Sequence, residues 1–165
     1  MRLSPIADIL FKTEDYVFSY RVAGILVRGG KVLLQKLPGS GYAFPGGHVE
    51  LGKTNKETLI REFKEEIGAK IRVKDIKWVA EIFFLWDHRP CHQICLYYIV
   101  ELTDETQIPL DGGFAARERI EKREFDVAFH WIPLETLKDI EVYPGNAGQL
   151  MKHLHEGVSH FVWKD

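Results

Sequence analysis

At 165 residues, of which 45% are apolar and 28% charged, the chain suits one globular domain over residues 1–165 with its own core, and disordered or collagen-like classes are excluded. A formal net charge of -2, with no basic run free of interleaved acids, gives no reason to expect a nucleic-acid polymer as partner and leaves small anions to local positive groups. Met1 to Lys12 lacks the pattern of a signal peptide and no run approaches the ~20 apolar residues that span a bilayer, so a cytoplasmic chain without a membrane partner is expected; nothing here fixes an oligomeric state.

From Tyr16 to Lys36 two apolar runs flank Gly29-Gly30, a pair that tolerates positive φ, and this predicts a β-hairpin. Gly39 to Gly52, with Pro45, Gly46 and Gly47, reads as a shaped loop. Thr54 and Glu57 form a capping box and Gly68 supplies a left-handed stop, which bounds a helix from Asn55 to Ile67. Lys70 to Trp86 and Cys91 to Leu102 predict strands inside a sandwich, apolar on both faces. Thr103 to Phe125 reads as a polar connection with a short charged helical stretch, Val127 to Ile132 as a brief strand, and Asn146 to His155 as a closing helix. Cys91, Cys95, His88 and His92 could share one face of a helix. The strand reading instead sets residues four apart ~13 Å from each other, too far for one zinc or a disulfide, and predicts reduced, structural cysteines.

On a wheel of about 100° per residue, Leu59, Ile60, Phe63 and Ile67 form one apolar stripe facing the core. Glu62, Glu65 and Glu66 fall on the adjacent quadrant, three and four residues apart, so three carboxylates crowd together beside buried surface. Each such pair destabilises a helix by roughly 0.2 to 0.5 kcal/mol, and burial raises their pKa values. Mg²⁺ or Mn²⁺, which prefer oxygen ligands and bridge carboxylates to phosphates, would offset that repulsion. The competing reading is an exposed acidic face paired with Arg61 and Lys64.

The segment Gly47 to Ala69 decides between these readings. It resembles the signature box of the Nudix (MutT-like) hydrolase family: glycine, five residues, glutamate, seven residues, then Arg-Glu-apolar-any-Glu-Glu-any-Gly-apolar. Here Gly47 is followed by Lys53 and then Arg61-Glu62-Phe63-Lys64-Glu65-Glu66-Ile67-Gly68-Ala69, a match at every fixed position but one. The resemblance implies an α+β fold, a Nudix-type α/β/α sandwich with a mixed central sheet. It also implies a hydrolase that splits a pyrophosphate bond in a nucleoside diphosphate linked to another moiety, with Mg²⁺ or Mn²⁺ as cofactor and a small nucleotide-like substrate as partner. By that resemblance Glu62, Glu65 and Glu66 are metal ligands, one of them also able to help deprotonate water, a loop carbonyl at Gly46 or Gly47 completes the coordination, and Arg61 holds the loop or a glutamate in place.

Lys53 stands where the family has its first glutamate, and a lysine cannot pair with Arg61. Either Glu50 or Glu57 takes over that pairing, or catalysis is weakened and the chain is a nucleotide-binding or sensor module. Outside the box, Arg21 interrupts an apolar strand and either reaches a phosphate or sugar in the cleft or snorkels from a sheet edge. Phe83, Phe84 and Trp86 either stack a base or pack in the core, the second reading being favoured by the two apolar faces. His92-Gln93 falls where some relatives place a glutamate, and a glutamine there cannot act as a base. Glu118, Glu121 and Glu124 precede Trp131 where the family often supplies an extra carboxylate, with Glu121 and Glu124 preferred. His48 is expected to be structural or at the rim, and His130, His153, His155 and His160 show no ligand spacing.

Overall fold

The structure is a computed structural model that describes residues 7–110, 113–120 and 123–165, with 113–120 and 123–126 entering as backbone alone. Along the chain run β1 (Leu10–Lys12), β2 (Val17–Ile25), β3 (Val27–Arg28), β4 (Lys31–Lys36), β5 (Tyr42–Ala43), β6 (Gly46–His48), helix α1 (Asn55–Glu62), β7 (Ile71–Trp86), β8 (Arg89–Leu102), β9 (Gly113–Ile120), β10 (Arg123–Pro133), β11 (Val142–Tyr143), helix α2 (Ala147–Met151) and β12 (Ser159–Lys164). They build two mixed sheets. The first has the order β1-β2-β8-β7-β12, with β6 also on β2; β2 runs parallel to β8, and β12 parallel to β7. The second has the order β11-β5-β4-β10-β9, with β3 on β4.

Alternation along the first sheet separates two cores. Val22 and Val100 face Leu59 and Phe63 of α1, while Ala23, Cys95 and Tyr97 face a second cluster that includes Leu137, Ala147 and Met151. Helix α1 thus lies on one side of the sheet and α2 on the other, the layered α+β arrangement expected. The long β7–β8 hairpin is antiparallel from Ile71↔Leu102 to Trp86↔Arg89, with register shifts between Val73 and Trp78. Both cysteines are free and buried on β8, as the strand reading requires.

Several expectations change. The Gly29-Gly30 turn is present, but it joins only β3 to β4; β2 belongs to the first sheet and β4 to the second, and each run supplies residues to both cores, Val22 and Leu33 to one and Ile25 and Leu34 to the other. The glycine loop contains β5 and β6, and Gly46 and Gly47 are laddered to Ala23 and Val22. The polar connection before Phe125 is a strand hairpin: β9 pairs with β10 over eight residues from Gly113↔His130 to Ile120↔Arg123. As the edge strand of its sheet β9 tolerates a charged sequence, which hid it from an apolar-pattern reading. The closing helix is one short piece, Ala147–Met151, followed by tight turns bonded Lys152 N to Gln149 O (3.2 Å) and His153 N to Leu150 O (3.1 Å). The unforeseen β12 then pairs with β7.

Candidate active site

Thr54 caps α1 as its spacing predicts: its hydroxyl accepts from Glu57 N at 3.2 Å, and Thr54 N donates to the Glu57 carboxylate at 2.8 Å. The helix is not regular to its end. Over Phe63–Ile67 it widens into a π-helical turn, closed by Ala69 N on Phe63 O (3.2 Å) and stopped at Gly68 with φ 74°. Such widened turns re-aim side chains that a uniform wheel misplaces. Glu62 and Glu66 are turned inward, with Glu66 9% exposed and the Glu62 side chain 13% exposed, whereas the Glu65 side chain is 64% exposed. Ile60, assigned to the core stripe, is 46% exposed; Leu59 and Phe63 fill the core and the helix is rolled to bring its acids toward the glycine strand.

That approach is close. A Cβ on Gly47 would overlap the Glu62 carboxyl, so only glycine lets the carboxylate lie against β6. Arg61 joins loop and helix: it is ion-paired with Glu50, donates through Nη2 to Glu62 Oε1 at 2.7 Å and to His48 O at 3.4 Å, and its Nε lies 4.0 Å from Glu65. Of the two glutamates that could replace the missing box glutamate as partner of Arg61, Glu50 does so, because Glu57 is used by the cap. Lys53 is exposed. Burial raises the Glu62 carboxyl above its usual range, opposed by a hydrogen bond shared with Glu66 and by Arg61. Asp8, which the sequence did not single out, bridges to Glu50 and is likewise raised by burial and by the Glu50 charge.

Between the two sheets lies a cavity of about 480 Å³. One wall is the face of the first sheet opposite α1, carrying Arg21, Ile82, Phe84, Gln93, Cys95 and Tyr97. Arg21 therefore reaches a cleft and does not snorkel from an edge, since β2 has neighbours on both sides. Among the described residues its side chain makes no hydrogen bond or ion pair. Phe83, Phe84 and Trp86 are half-buried and outside the core, contrary to the favoured reading: Phe84 lines the cavity, Phe83 lies against His92 at 4.4 Å, and Trp86 lies beside His48 at 6.0 Å.

A polar chain runs between these two regions. Ser19, fully buried, donates to Gln93 Oε1 at 3.2 Å and lies 3.0 Å from His48 Nε2. Burial first, then the charges of Arg21 and Lys12, lower the His48 pKa to about 4, so the ring is neutral at pH 7. His48, expected to be structural or at the rim, is part-buried and hydrogen-bonded to Ser19, a small residue in an apolar strand that the sequence reading passed over. Glu118, Glu121 and Glu124 cannot be added to the site: Glu121 and the side chains of the other two lie outside the described residues. His130 packs edge-on against Tyr42, while His153 and His160 pair with Glu156 and Glu81.

A mixed-sheet α+β protein with an arginine-tied acidic helix end beside a glycine strand is the setting of the Nudix domain. The chain belongs to that family: the NUDIX domain model matches residues 19–154. The chain is 47% identical to YtkD of Bacillus subtilis (strain 168) over 75 residues, 45% of this chain and 46% of that protein. It is 44% identical to the ADP-ribose pyrophosphatase of Methanocaldococcus jannaschii over 59 residues, 33% of this chain and 35% of that one. The matches thus span less than half the length of these relatives. A Nudix hydrolase from Nitrosomonas europaea shares the fold, with a TM-score of 0.57 at 19% identity over 89% of this chain and 79% of the other. No helix among the described residues is long and apolar enough to cross a membrane.

Divalent metal is general in this family, and the donor set here suits a hard cation: carboxylate oxygens at Glu62, Glu65 and Glu66, with the backbone carbonyls of Gly46 and Gly47 alongside. Glu62 and Glu66, turned inward and sharing a hydrogen bond, bring together two carboxyls whose repulsion a divalent cation would relieve. With Glu65 turned outward, no three acidic, histidine or cysteine side chains meet at one point among the described residues. An exposed glutamate changes rotamer readily, so the chemistry of the donors fits although the ligands are not gathered.

Proposed function

We propose that the chain, acting as a single Nudix domain, is a metal-dependent pyrophosphohydrolase that cleaves a phosphoanhydride in a nucleoside diphosphate linked to another moiety. The observation that carries this reading is the arrangement of Arg61, which ties Glu62 to the glycine strand while Glu50 supplies the partner that Lys53 does not. That tie holds Glu62 against the glycine strand despite the departure from the box, which supports the reading. The names of relatives, ADP-ribose pyrophosphatase and CTP pyrophosphohydrolase, support the same substrate class.

In this mechanism Glu62, Glu65, Glu66 and a carbonyl of Gly46 or Gly47 would hold Mg²⁺ or Mn²⁺. The ion would supply positive charge to the phosphates and acidify water. Arg61 keeps the Glu62 carboxylate aimed at the loop and lowers the cost of burying it. One of the glutamates would also help to deprotonate water, and Arg21 offers hydrogen-bond donors to a ligand in the cavity.

A panel of nucleoside triphosphates, ADP-ribose and nucleotide sugars, incubated with Mg²⁺ or Mn²⁺ and read by mass spectrometry of both products, tests the proposal. Metal-dependent multiple turnover is expected, abolished in Glu62→Gln and in Glu66→Gln with circular dichroism unchanged. Full activity in both variants would remove the assigned roles, and binding without turnover would make the chain a sensor.

A further inference from the structure

We propose that Gln93 is a specificity-determining residue that selects a carbonyl oxygen on the ligand in the cavity, and hence an oxo nucleobase over its amino counterpart. The inference rests on the nucleotide reading above and goes further by naming the edge that is read. Strand register sets Ser19 beside Gln93 and Arg21 beside Cys95, so the amide and the guanidinium share one wall. Ser19 has a single hydroxyl proton and gives it to Gln93 Oε1 at 3.2 Å. His48 Nε2, 3.0 Å from the Ser19 hydroxyl oxygen, is then the donor to Ser19. The chain runs in one direction, from His48 through Ser19 to Gln93, and commits the amide oxygen away from the cavity.

What Gln93 offers the cavity is its NH₂ group, which makes no hydrogen bond among the described residues. Beside it Arg21 can only donate. Two neighbouring groups are already engaged: the Tyr97 hydroxyl and the Cys95 thiol are hydrogen-bonded to each other. A ligand edge laid against Gln93 and Arg21 must accept. The oxo group of guanine, hypoxanthine or uracil does so, whereas the amino group of adenine or cytosine sets donor against donor and leaves buried polar groups unpaired. Sites built around a required hydrogen bond discriminate strongly against analogues that cannot make it. The Ile82 and Phe84 side chains on the same wall suit the faces of a flat ring.

Titration calorimetry without metal, using the monophosphate pairs IMP and AMP, and UMP and CMP, separates this inference from catalysis. In each pair the oxo member is expected to bind at least about 10-fold more tightly. Gln93→Leu should bring the ratio to about 1, Ser19→Ala should reduce it by freeing the amide to turn over, and Gln93→Glu, which can only accept when ionised, should favour the amino member. Thermal melts check that each variant folds. Equal binding within both pairs, no binding of any of the four at millimolar concentration, or an undiminished oxo preference in Gln93→Leu would overturn the inference. Metal-dependent hydrolysis with no oxo preference would remove this inference alone, and oxo-selective binding with no hydrolysis would remove the hydrolase and leave it standing.

Discussion

On one face of the β2–β8–β7 sheet, buried Glu62 and Glu66 share a hydrogen bond and Arg61 pairs with Glu62; on the other, half-buried Arg21 stands among amide, thiol, phenol and aromatic groups and makes no hydrogen bond or ion pair among the described residues, although the charge of Asp8 acts on it and Asp165 lines the same cavity. The first region crowds negative charge and the second holds a positive charge without a direct partner among the described residues. A folded chain tolerates either imbalance only at some free-energy cost, since buried charge without compensation is unfavourable. The two regions are joined by the hydrogen-bonded run of His48, Ser19 and Gln93.

The strongest way to break this comparison is to remove charge on the acidic side. Glu62→Gln should eliminate measurable metal-stimulated turnover while Arg21→Leu leaves residual turnover with a raised KM; equal loss in both would mean the two faces do not divide the labour. Next comes the tie between loop and helix. Glu50→Gln should lower kcat by roughly 10 to 100-fold with little change in KM, the size expected when a group that orients a metal ligand is lost, whereas Lys53→Ala should stay within about 2-fold. Steady-state kinetics on both variants decides it, and a larger effect at Lys53 would reassign the partner of Arg61.

The neutral ring of His48 gives a pH signature. Its folded pKa, lowered to about 4 chiefly by burial, lies below the ordinary histidine value of 6.5, so the unfolded chain takes up the proton first. Its contribution to stability is complete above pH 6.5 and declines as the pH falls toward 4, by at most about 3 kcal/mol. Denaturation of wild type and His48→Gln across that window should show the variant with the shallower decline; parallel curves would remove the buried neutral histidine from the account. The smallest expected effect is at Cys95. Burial pushes its thiol up to about 11, and with Cys91 also buried, neither cysteine should react with a thiol reagent at pH 8 until the chain is unfolded.

The box and the helix caps were legible because each is a local pattern. A capping box needs Thr54 and Glu57 three residues apart, and the acids of Gly47 to Ala69 need only helical spacing. The same local reading failed where geometry departs from a uniform period: the π-helical turn at Phe63–Ile67 sent Glu65 outward, and rotation of α1 exposed Ile60. Edge strand β9 escaped notice because an edge is held by backbone pairing and needs no apolar run, and β12 because its apolar residues, Phe161 to Trp163, make too short a run at the end of the chain.

By itself, then, the sequence determined the family, the acidic helix with its caps, the two long central strands and the reduced state of the cysteines. Each of these depends on residues near one another in the chain. Tertiary structure alone decided that Glu50 pairs with Arg61, that β2 and β4 part into different sheets, and that Ser19, Arg21 and Gln93 meet at one cavity wall. Those contacts join residues far apart in sequence, and their geometry is set by strand register and helix rotation, which depend on the whole core at once.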